Sequence, residues 1–450
     1  MSKLTDVRVK QVVTRAERKT YRTPIKFGGR VVVDAVIFDV TVDVETRDGR
    51  CGQGIGSMPM ANAWAWPSQT VTGEQALAAM MAFAERLPAR AAAVPVVGHP
   101  LEISHGWSSL YAPLAAEIAA EMRLAEPPPV LAQLVAGSPL EAAIHDAYGK
   151  TLGASAYDLL GPDFVNADLG HYLSPEFAGE YLDRYTLRKP KPAMPLYHLV
   201  GALDPLIATD VRQPVGDGLP ETLAEWIPYN GLTHLKIKLA GDDLPWDVAR
   251  VVAVDCTAEA AQAARGCSTW YYSLDFNEKC ASVEYVLEFL RQLREQAPRG
   301  LERVQYIEQP THRDLHRFPE NRMHEAARIK PVVIDESLTD FASLQLAREL
   351  GYSGVALKAC KGHSEALLMG AAAQKYGLFL CVQDLTCVGR SFLHSASIAA
   401  RLPTIAAIEG NGRQYCPAGN AGWDEKFPAM FTIRDGQVGT KELQGPGLWG

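Results

Sequence analysis

Along the first fifty residues apolar and polar positions tend to alternate with a period of two. Val31-Val32-Val33 and the run from Val36 to Val44 are β-branched, and Asp48-Gly49 is a hairpin turn, so this stretch predicts β-hairpins. Tyr21–Arg30 lacks periodicity and carries a Pro and a Gly pair, which predicts a mobile loop. Gly52-Gln53-Gly54-Ile55-Gly56 has phosphate-loop glycine spacing, but a hairpin precedes it and no clear helix follows directly. A dinucleotide site is therefore rejected. From Gly73 to about Leu159 the period lengthens to that of helices, over Glu74–Leu87 and Leu114–Leu124, with a break at Pro127-Pro128-Pro129. Ser138-Pro139-Leu140-Glu141 predicts a new helix start, with Ser as N-cap, Pro in the first helical position and Glu in the first turn.

After about Pro195 short apolar runs alternate with helical stretches. Eight strands are predicted, at Leu196–Leu199, Thr233–Leu239, Trp270–Leu274, Val304–Ile307, Val332–Ile334, Gly354–Leu357, Leu378–Val382 and Ile405–Ile408. The repeat suits a (β/α)₈ barrel, with a doubly wound sheet as the alternative on pattern alone. Residues from Pro205 to Pro228 fit no element. The expected fold class is α/β: a modified TIM barrel over residues 138–415, an N-terminal α+β capping domain over 1–137, and a tail over 416–450 that packs back toward the cap.

Composition narrows the function classes. The chain has 450 residues and a formal net charge of −8, with 47% hydrophobic and 21% charged residues, which describes a folded soluble protein with no nucleic acid or anionic membrane as partner. No apolar run reaches the ~18–20 residues of a membrane span, and no apolar segment follows the charged start. The eight cysteines are scattered without zinc spacing, so free thiols and a cytoplasmic location are expected.

The candidate chemistry sits at strand ends. In Thr233-His234-Leu235-Lys236-Ile237-Lys238-Leu239, Leu235, Ile237 and Leu239 face the helical shell while His234, Lys236 and Lys238 share the barrel interior. Two ammonium groups in a packed barrel require compensating charge. Asp275, Glu308 and Asp335 follow the next three strands, at the C-terminal mouth where barrel sites lie. Three oxygen-only acids suit Mg²⁺ rather than Zn²⁺. Lys358 ends the sixth strand, across the barrel from the second, and two opposed lysines of lowered pKa with Mg²⁺ fit removal of a proton α to a carboxylate. His234 reads as a core histidine.

Lys236-x-Lys238, Asp275-x-Asn277, Glu308-Gln309-Pro310, Asp335-Glu336-Ser337 and Lys358-x-x-Lys361, in this order, resemble the enolase superfamily, in particular its muconate lactonizing enzyme (muconate cycloisomerase) subgroup. The segment Glu141–Gly153, followed by Asp158-Leu159-Leu160-Gly161, is similar to that family's domain-junction helix. The resemblance implies Mg²⁺ on Asp275, Glu308 and Asp335, Lys238 and Lys358 as a facing acid/base pair, and Lys236 beside the substrate carboxylate. It implies a small-molecule carboxylate substrate and an enediolate, with racemisation or epimerisation as the expected outcome. Cycloisomerisation, dehydration of the o-succinylbenzoate synthase kind, and a non-catalytic metal-binding barrel are the alternatives. Mandelate racemase-like chemistry is disfavoured, because no histidine ends Leu378–Asp384. Asn277 and Glu336 are expected behind the metal ligands, and Glu409 meets substrate at the eighth strand. Cap loops near Tyr21–Arg30 and Ser57–Trp66 would close over the mouth, making Tyr21 and Trp66 substrate contacts. Lys361-Gly362-His363 departs from the family's Lys-x-Gly-Gly, and a homo-oligomer is expected.

Overall fold

The computed structural model describes residues 2–27 and 30–450. Three antiparallel strands open the cap: β1 (Val7–Phe27), β2 (Arg30–Thr46) and β3 (Cys51–Pro59), in the order β1-β2-β3. β2 shows why it is a strand: Phe38, Val40, Val42 and Val44 are buried while Asp39, Thr41 and Asp43 stay half exposed. Helices α1 (Asn62–Ala65), α2 (Gly73–Ala93), α3 (Pro100–Trp107), α4 (Tyr111–Glu121) and α5 (Val130–Leu152) follow. A Thr72/Gln75 capping box starts α2, with Gln75 N donating to Thr72 Oγ1 at 3.2 Å and Thr72 N to Gln75 Oε1 at 3.0 Å.

Two expectations are corrected here. Tyr21–Phe27 is not a mobile loop but the end of β1, pairing through Ile25↔Val32 and Phe27↔Arg30; Gly28 and Gly29 of that stretch lie outside the described residues. The register shifts between Thr20 and Ile25, so Tyr21–Pro24 bulge out of the ladder, and a bulge around Pro24 breaks the alternation without ending the strand. Nor does a helix start at Ser138. α5 runs unbroken through it, with the Ser138 hydroxyl donating to Val135 O at 2.9 Å and Pro139 inside the helix. The capping signal was overridden by burial, since Ala132, Val135, Ala136, Leu140, Ala143 and Ile144 are all core residues.

The glycine row of β3 explains how α5 seats. A Cβ on Gly54 would lie 2.1 Å from Ala147 N and 2.3 Å from Ala143 O, and one on Gly56 would lie 1.9 Å from Pro139 O. The period-two glycines therefore form a groove for a helix backbone, not a phosphate loop. Asp146 of α5 ties three segments together: it accepts from Ile55 N of β3 at 2.9 Å, from Lys150 Nζ at 2.7 Å, and from Leu448 N of the C-terminal tail at 3.1 Å.

Eight parallel strands close the barrel: β4 (Ala193–Val200), β5 (His234–Lys238), β6 (Tyr271–Asp275), β7 (Val304–Glu308), β8 (Val332–Ile334), β9 (Gly354–Lys358), β10 (Phe379–Gln383) and β11 (Ile405–Glu409). Each pairs with its sequence neighbour, and β11 returns to β4. All eight predicted strands are present. Closure removes the doubly wound alternative. A short β12 (Gln437–Gly439) adds antiparallel to β4. Inside the barrel, Tyr197, Tyr306, Val333, Ala356, Cys381 and Ala407 form an apolar floor. Leu235, Ile237 and Leu239 join the core outside the barrel wall, as their alternation requires. Among the described residues no helix is long and apolar enough to cross a membrane.

A histidine cluster joins cap to barrel. His99, the N-cap of α3, and His145 of α5 meet His363 and His394 from the two barrel helices His363–Lys375 and Arg390–Arg401. Ring centroids are 6.0 Å (His99–His145), 4.5 Å (His145–His363) and 5.2 Å (His363–His394) apart. His363 Nδ1 and His394 Nε2 share a hydrogen bond of 3.0 Å, and His145 Nε2 bonds Ser364 Oγ at 2.9 Å. Burial depresses all four pKa values, to about 3 for His99 and His394. Beside them burial raises the Glu141 carboxyl to about 7.

Two outcomes are expected. Gly54→Val, which drives side-chain atoms into the α5 backbone, lowers the denaturation midpoint by an amount equivalent to about 3 kcal/mol or more in urea or guanidinium titration. The buried histidines stay neutral when folded but take up protons near pH 6.5 when unfolded. Their stabilisation is therefore present above about pH 6.5 and falls with decreasing pH, at roughly 1.4 kcal/mol per pH unit for each. His363→Asn makes the pH 7-to-5 stability slope shallower by about one proton, read from denaturation curves at each pH.

Candidate active site

The predicted acids and lysines meet in one layer above the barrel floor. Lys238, Asp275 and Glu308 stand opposite one another in the ladders of β5, β6 and β7, which brings their side chains to one level. Asp335 follows β8, and Lys358 and Gln383 end β9 and β10 in mutual register. Lys236, Asp275, Glu308, Asp335 and Lys358 are all at least 96% buried.

Lys236 is the hub. Its Nζ lies 2.9 Å from Glu308, 3.0 Å from Glu409 and 3.2 Å from Asp275. Lys238 donates to Asp275 and, at 3.1 Å, to Asn277 Oδ1, while Asn277 N donates to Asp275 Oδ1 at 2.8 Å. Asn277 sits at φ +51°, a left-handed conformation that asparagine tolerates, and this turns its backbone N–H toward the aspartate. On the opposite wall Lys358 donates to Asp335 at 2.7 Å, and Lys361 donates to Asp335 O at 2.5 Å and Oδ1 at 3.1 Å.

These pairings set the protonation states. Burial opposes ionisation of Asp275 and Asp335, but Lys238 and Lys236 at the first, and Lys358 and Lys361 at the second, hold both carboxyls well below the usual range. Glu308 goes the other way, pushed well up by burial and by the charge of Asp275, despite Lys236. Burial disfavours the charged form of Lys358, yet Asp335 outweighs it and raises the pKa. For Lys358 that is the reverse of the lowered pKa expected from sequence, because Asp335 stands beside it. Burial and the charge of Asp335 raise the Glu336 carboxyl to about 7.

Three carboxylates at adjacent strand ends, all hard oxygen donors, fit Mg²⁺ in their chemistry. Burial first, and the charge of Asp275 second, push Glu308 toward its neutral form, and a dication held among the three acids would oppose both. As placed, each acid turns to a lysine, and no three His, Cys, Asp or Glu side chains among the described residues converge on one point.

The other predicted residues divide. Tyr21 packs with Ile25, Leu199 and Tyr415 at the mouth, and Tyr21 and Trp64 line one small cavity under the cap. Trp66 is directed elsewhere: its Nε1 donates to Glu126 at 2.9 Å within the cap, so it belongs to cap packing. Trp64, two residues earlier, takes the position expected of Trp66. Its indole Nε1 donates to Glu336 at 2.9 Å and its ring lies 4.1 Å from Lys358 Nζ. Arg313 holds that loop, donating to Trp64 O at 3.1 Å and to Glu278 Oε2 at 2.8 Å. Glu409 is buried with both oxygens engaged, one by Lys236 and the other by Asn411 at 2.6 Å. His234 is a core residue between Tyr197 and Tyr271, hydrogen-bonded to Thr233 at 3.0 Å.

Sequence reasoning missed Gln383, whose amide donates to Glu308, although it ends a predicted strand as the acids do. It also missed Arg313, because no periodicity marks a loop cation.

Comparison with known proteins agrees with this geometry. The family model described as enolase C-terminal domain-like matches residues 219–448. Among solved structures, muconate lactonizing enzyme from Pseudomonas fluorescens is 17% identical, with a TM-score of 0.61 over 98% of this chain and 95% of that one. The L-Ala-D/L-Glu epimerase from Bacillus subtilis is 17% identical, with a TM-score of 0.60 over 98% of both chains. The N-succinyl Arg/Lys racemase from Bacillus cereus is 17% identical, with a TM-score of 0.61 over 98% and 94%. No sequence among the curated proteins matches. With the barrel half of the chain matched and its ordered acids and lysines gathered at one mouth, the chain belongs to the enolase superfamily, as a member of the enolase C-terminal domain-like family.

Proposed function

We propose that the protein removes the α-proton of a carboxylate substrate and returns it, catalysing racemisation or epimerisation. The observation that carries this reading is the placement of Lys238 and Lys358. They end β5 and β9, the second and sixth strands of an eight-stranded ring, and so face each other across the mouth. A planar intermediate between two such ammonium groups accepts a proton on either face.

Asp275, Glu308 and Asp335 would hold Mg²⁺, which when bound would supply positive charge next to the substrate carboxylate and would engage the carboxylate charge that otherwise favours protonated Lys358. Lys236, already held by Glu308 and Glu409, adds a fixed cation beside the substrate carboxylate. Asn277 orients Lys238 by accepting from it while donating to Asp275. Trp64 and the hairpin residue Phe27 cover Lys358 and Lys238 respectively, with ring centroids 4.1 and 5.7 Å from the nitrogens. Such a cover excludes water and strengthens the electrostatics beneath it.

Incubation in D₂O with Mg²⁺ and a panel of α-substituted carboxylates, each as separate enantiomers, is expected to place deuterium at Cα of both enantiomers of one substrate, read by NMR or mass spectrometry. No exchange across the panel overturns the proposal. Lys358→Ala is expected to lower exchange from one enantiomer by about a hundredfold or more, sparing the other. Unchanged turnover and stereochemistry in that variant exclude two-base chemistry and favour cycloisomerisation or dehydration. Mg²⁺ is expected to raise the melting temperature of the wild type but not of Glu308→Gln, and no shift in either removes the metal assignment.

A further inference from the structure

Residues 201–222 follow β4 without a strand or α-helix, yet hydrogen bonds fasten them to the barrel. Arg250 Nη2 donates to Gly201 O at 2.7 Å and to Asp204 O at 3.1 Å, and the Tyr415 hydroxyl donates to Asp204. Within the loop Asp210 accepts from Leu206 N at 3.0 Å and Ile207 N at 3.2 Å, and Glu221 accepts from Val215 N and Gly216 N, both at 2.9 Å. Gly216 and Gly218 sit at φ +72° and +85°, which would strain other residues, so Asp217 stands between two tight turns. Its carboxylate accepts from Leu219 N at 3.1 Å, so the loop itself fixes the acid.

Asp217 meets a stretch of the β1/β2 hairpin that lacks cross-strand pairs. Thr20 faces Asp34 and Ile25 faces Val32, but Tyr21–Pro24 have no partners in β2. Arg22 reaches out of this bulge with its side chain only 6% exposed. Its Nε and Nη2 both donate to Asp217, Nη2 to Oδ1 at 2.9 Å, and Nη2 also donates to Leu219 O at 3.2 Å. Such a buried fork fixes orientation as well as distance, unlike a lone pair on an open surface. Elsewhere hairpin and loop face each other across a cavity of about 250 Å³, with Pro24 on one side, Val211 on the other, and His198, Trp226 and Gln414 from the barrel half. Packing is therefore incomplete there. Among the described residues Arg22–Asp217 is the one ion pair between residues 21–32 and the barrel half of the chain. Arg30, on the returning strand, donates to Ser68 O of the cap instead.

Past the bulge Ile25 packs on Leu199 and Tyr415, with Tyr21 and Phe27 against them, and the Phe27 ring centroid lies 5.7 Å from Lys238 Nζ. The cover of Lys358 is held separately, since Trp64 O accepts from Arg313, which Glu278 fixes. We propose that Arg22 and Asp217 form a latch that positions Phe27 over Lys238, with residues 201–222 as its anchor. Each lysine then has its own independently held aromatic cover. Arg22 is a positioning residue: it touches neither substrate nor lysine, and it acts on one face of the substrate alone. This rests on the proposed two-lysine function, in which Lys238 takes the α-proton from one enantiomer and Lys358 from the other. Loosening one cover admits water to one lysine and weakens the electrostatics there, leaving the other base as it was.

Two exchange measurements on the full-length protein test the latch. Arg22→Met and Asp217→Asn are each expected to speed backbone amide exchange in residues 21–27 about tenfold, with residues 60–66 unchanged. The double variant is expected to match the singles, because each removes the same pair. With the carboxylate that exchanges its α-proton in D₂O, both variants are expected to slow exchange from one enantiomer about tenfold and to leave the other within about twofold. The affected enantiomer is the one that Lys358→Ala spares. Unchanged amide exchange at residues 21–27 in a folded variant, equal loss from both enantiomers, or no loss from either overturns the latch. So does failure of both variants to fold, which marks the pair as structural. If no carboxylate exchanges its α-proton in the wild type, the proposed function fails, and amide exchange alone decides whether Arg22 holds the hairpin.

Discussion

The structure turns on one constraint: charged groups inside a barrel must neutralise one another or draw in something that does. Lys236 touches three carboxylates, and Lys358 and Lys361 share a fourth. Such buried pairs contribute little net stability against well-packed apolar residues, because desolvation consumes most of the Coulombic gain. Their retention in an otherwise apolar interior is therefore a statement about chemistry. The layer rests on an apolar floor of Tyr197, Tyr306 and Val333 and lies under a cap that supplies aromatic rings, so the charges face one another rather than water.

The cap is thereby part of the site. Its helix α5 can lie flush on β3 only because Gly52, Gly54 and Gly56 leave no side chains between them. That seating fixes Asp146, which anchors the C-terminal tail. It also aligns His145 with His363, where cap and barrel share buried neutral imidazoles. Trp64 is carried by the loop after β3, so the same packing that places the helix also sets where the indole meets Lys358.

Much of this was legible in the sequence, and what was not has physical reasons. The eight strands were readable as short apolar runs, and the acids were readable because each ends a run. Trp66 and Trp64 have opposite fates because a four-residue helix rotates positions two apart to different sides, a distinction no local pattern records. Tyr21–Phe27 seemed a loop because a bulge interrupts its alternation, although the ladder resumes beyond it. Ser138-Pro139 carries genuine cap chemistry, overruled by the burial of the helix on both sides. Glu409 ends the eighth strand, as its place in the sequence implied, while its bonds to Lys236 and Asn411 come from segments that no local pattern brings together.

By itself the sequence determined the order of elements, the inward face of Lys236 and Lys238, and the set of acids at successive strand ends. Those follow from alternation and spacing, which are properties of a single chain segment. Only the tertiary structure decided which lysine each acid holds, that Lys358 is stabilised as a cation by Asp335, and that Trp64 covers it. It also decided that His198 and Gln414, far apart in the chain, line one cavity. Those facts depend on distances between segments far apart in the chain, set by barrel closure and by the seating of the cap.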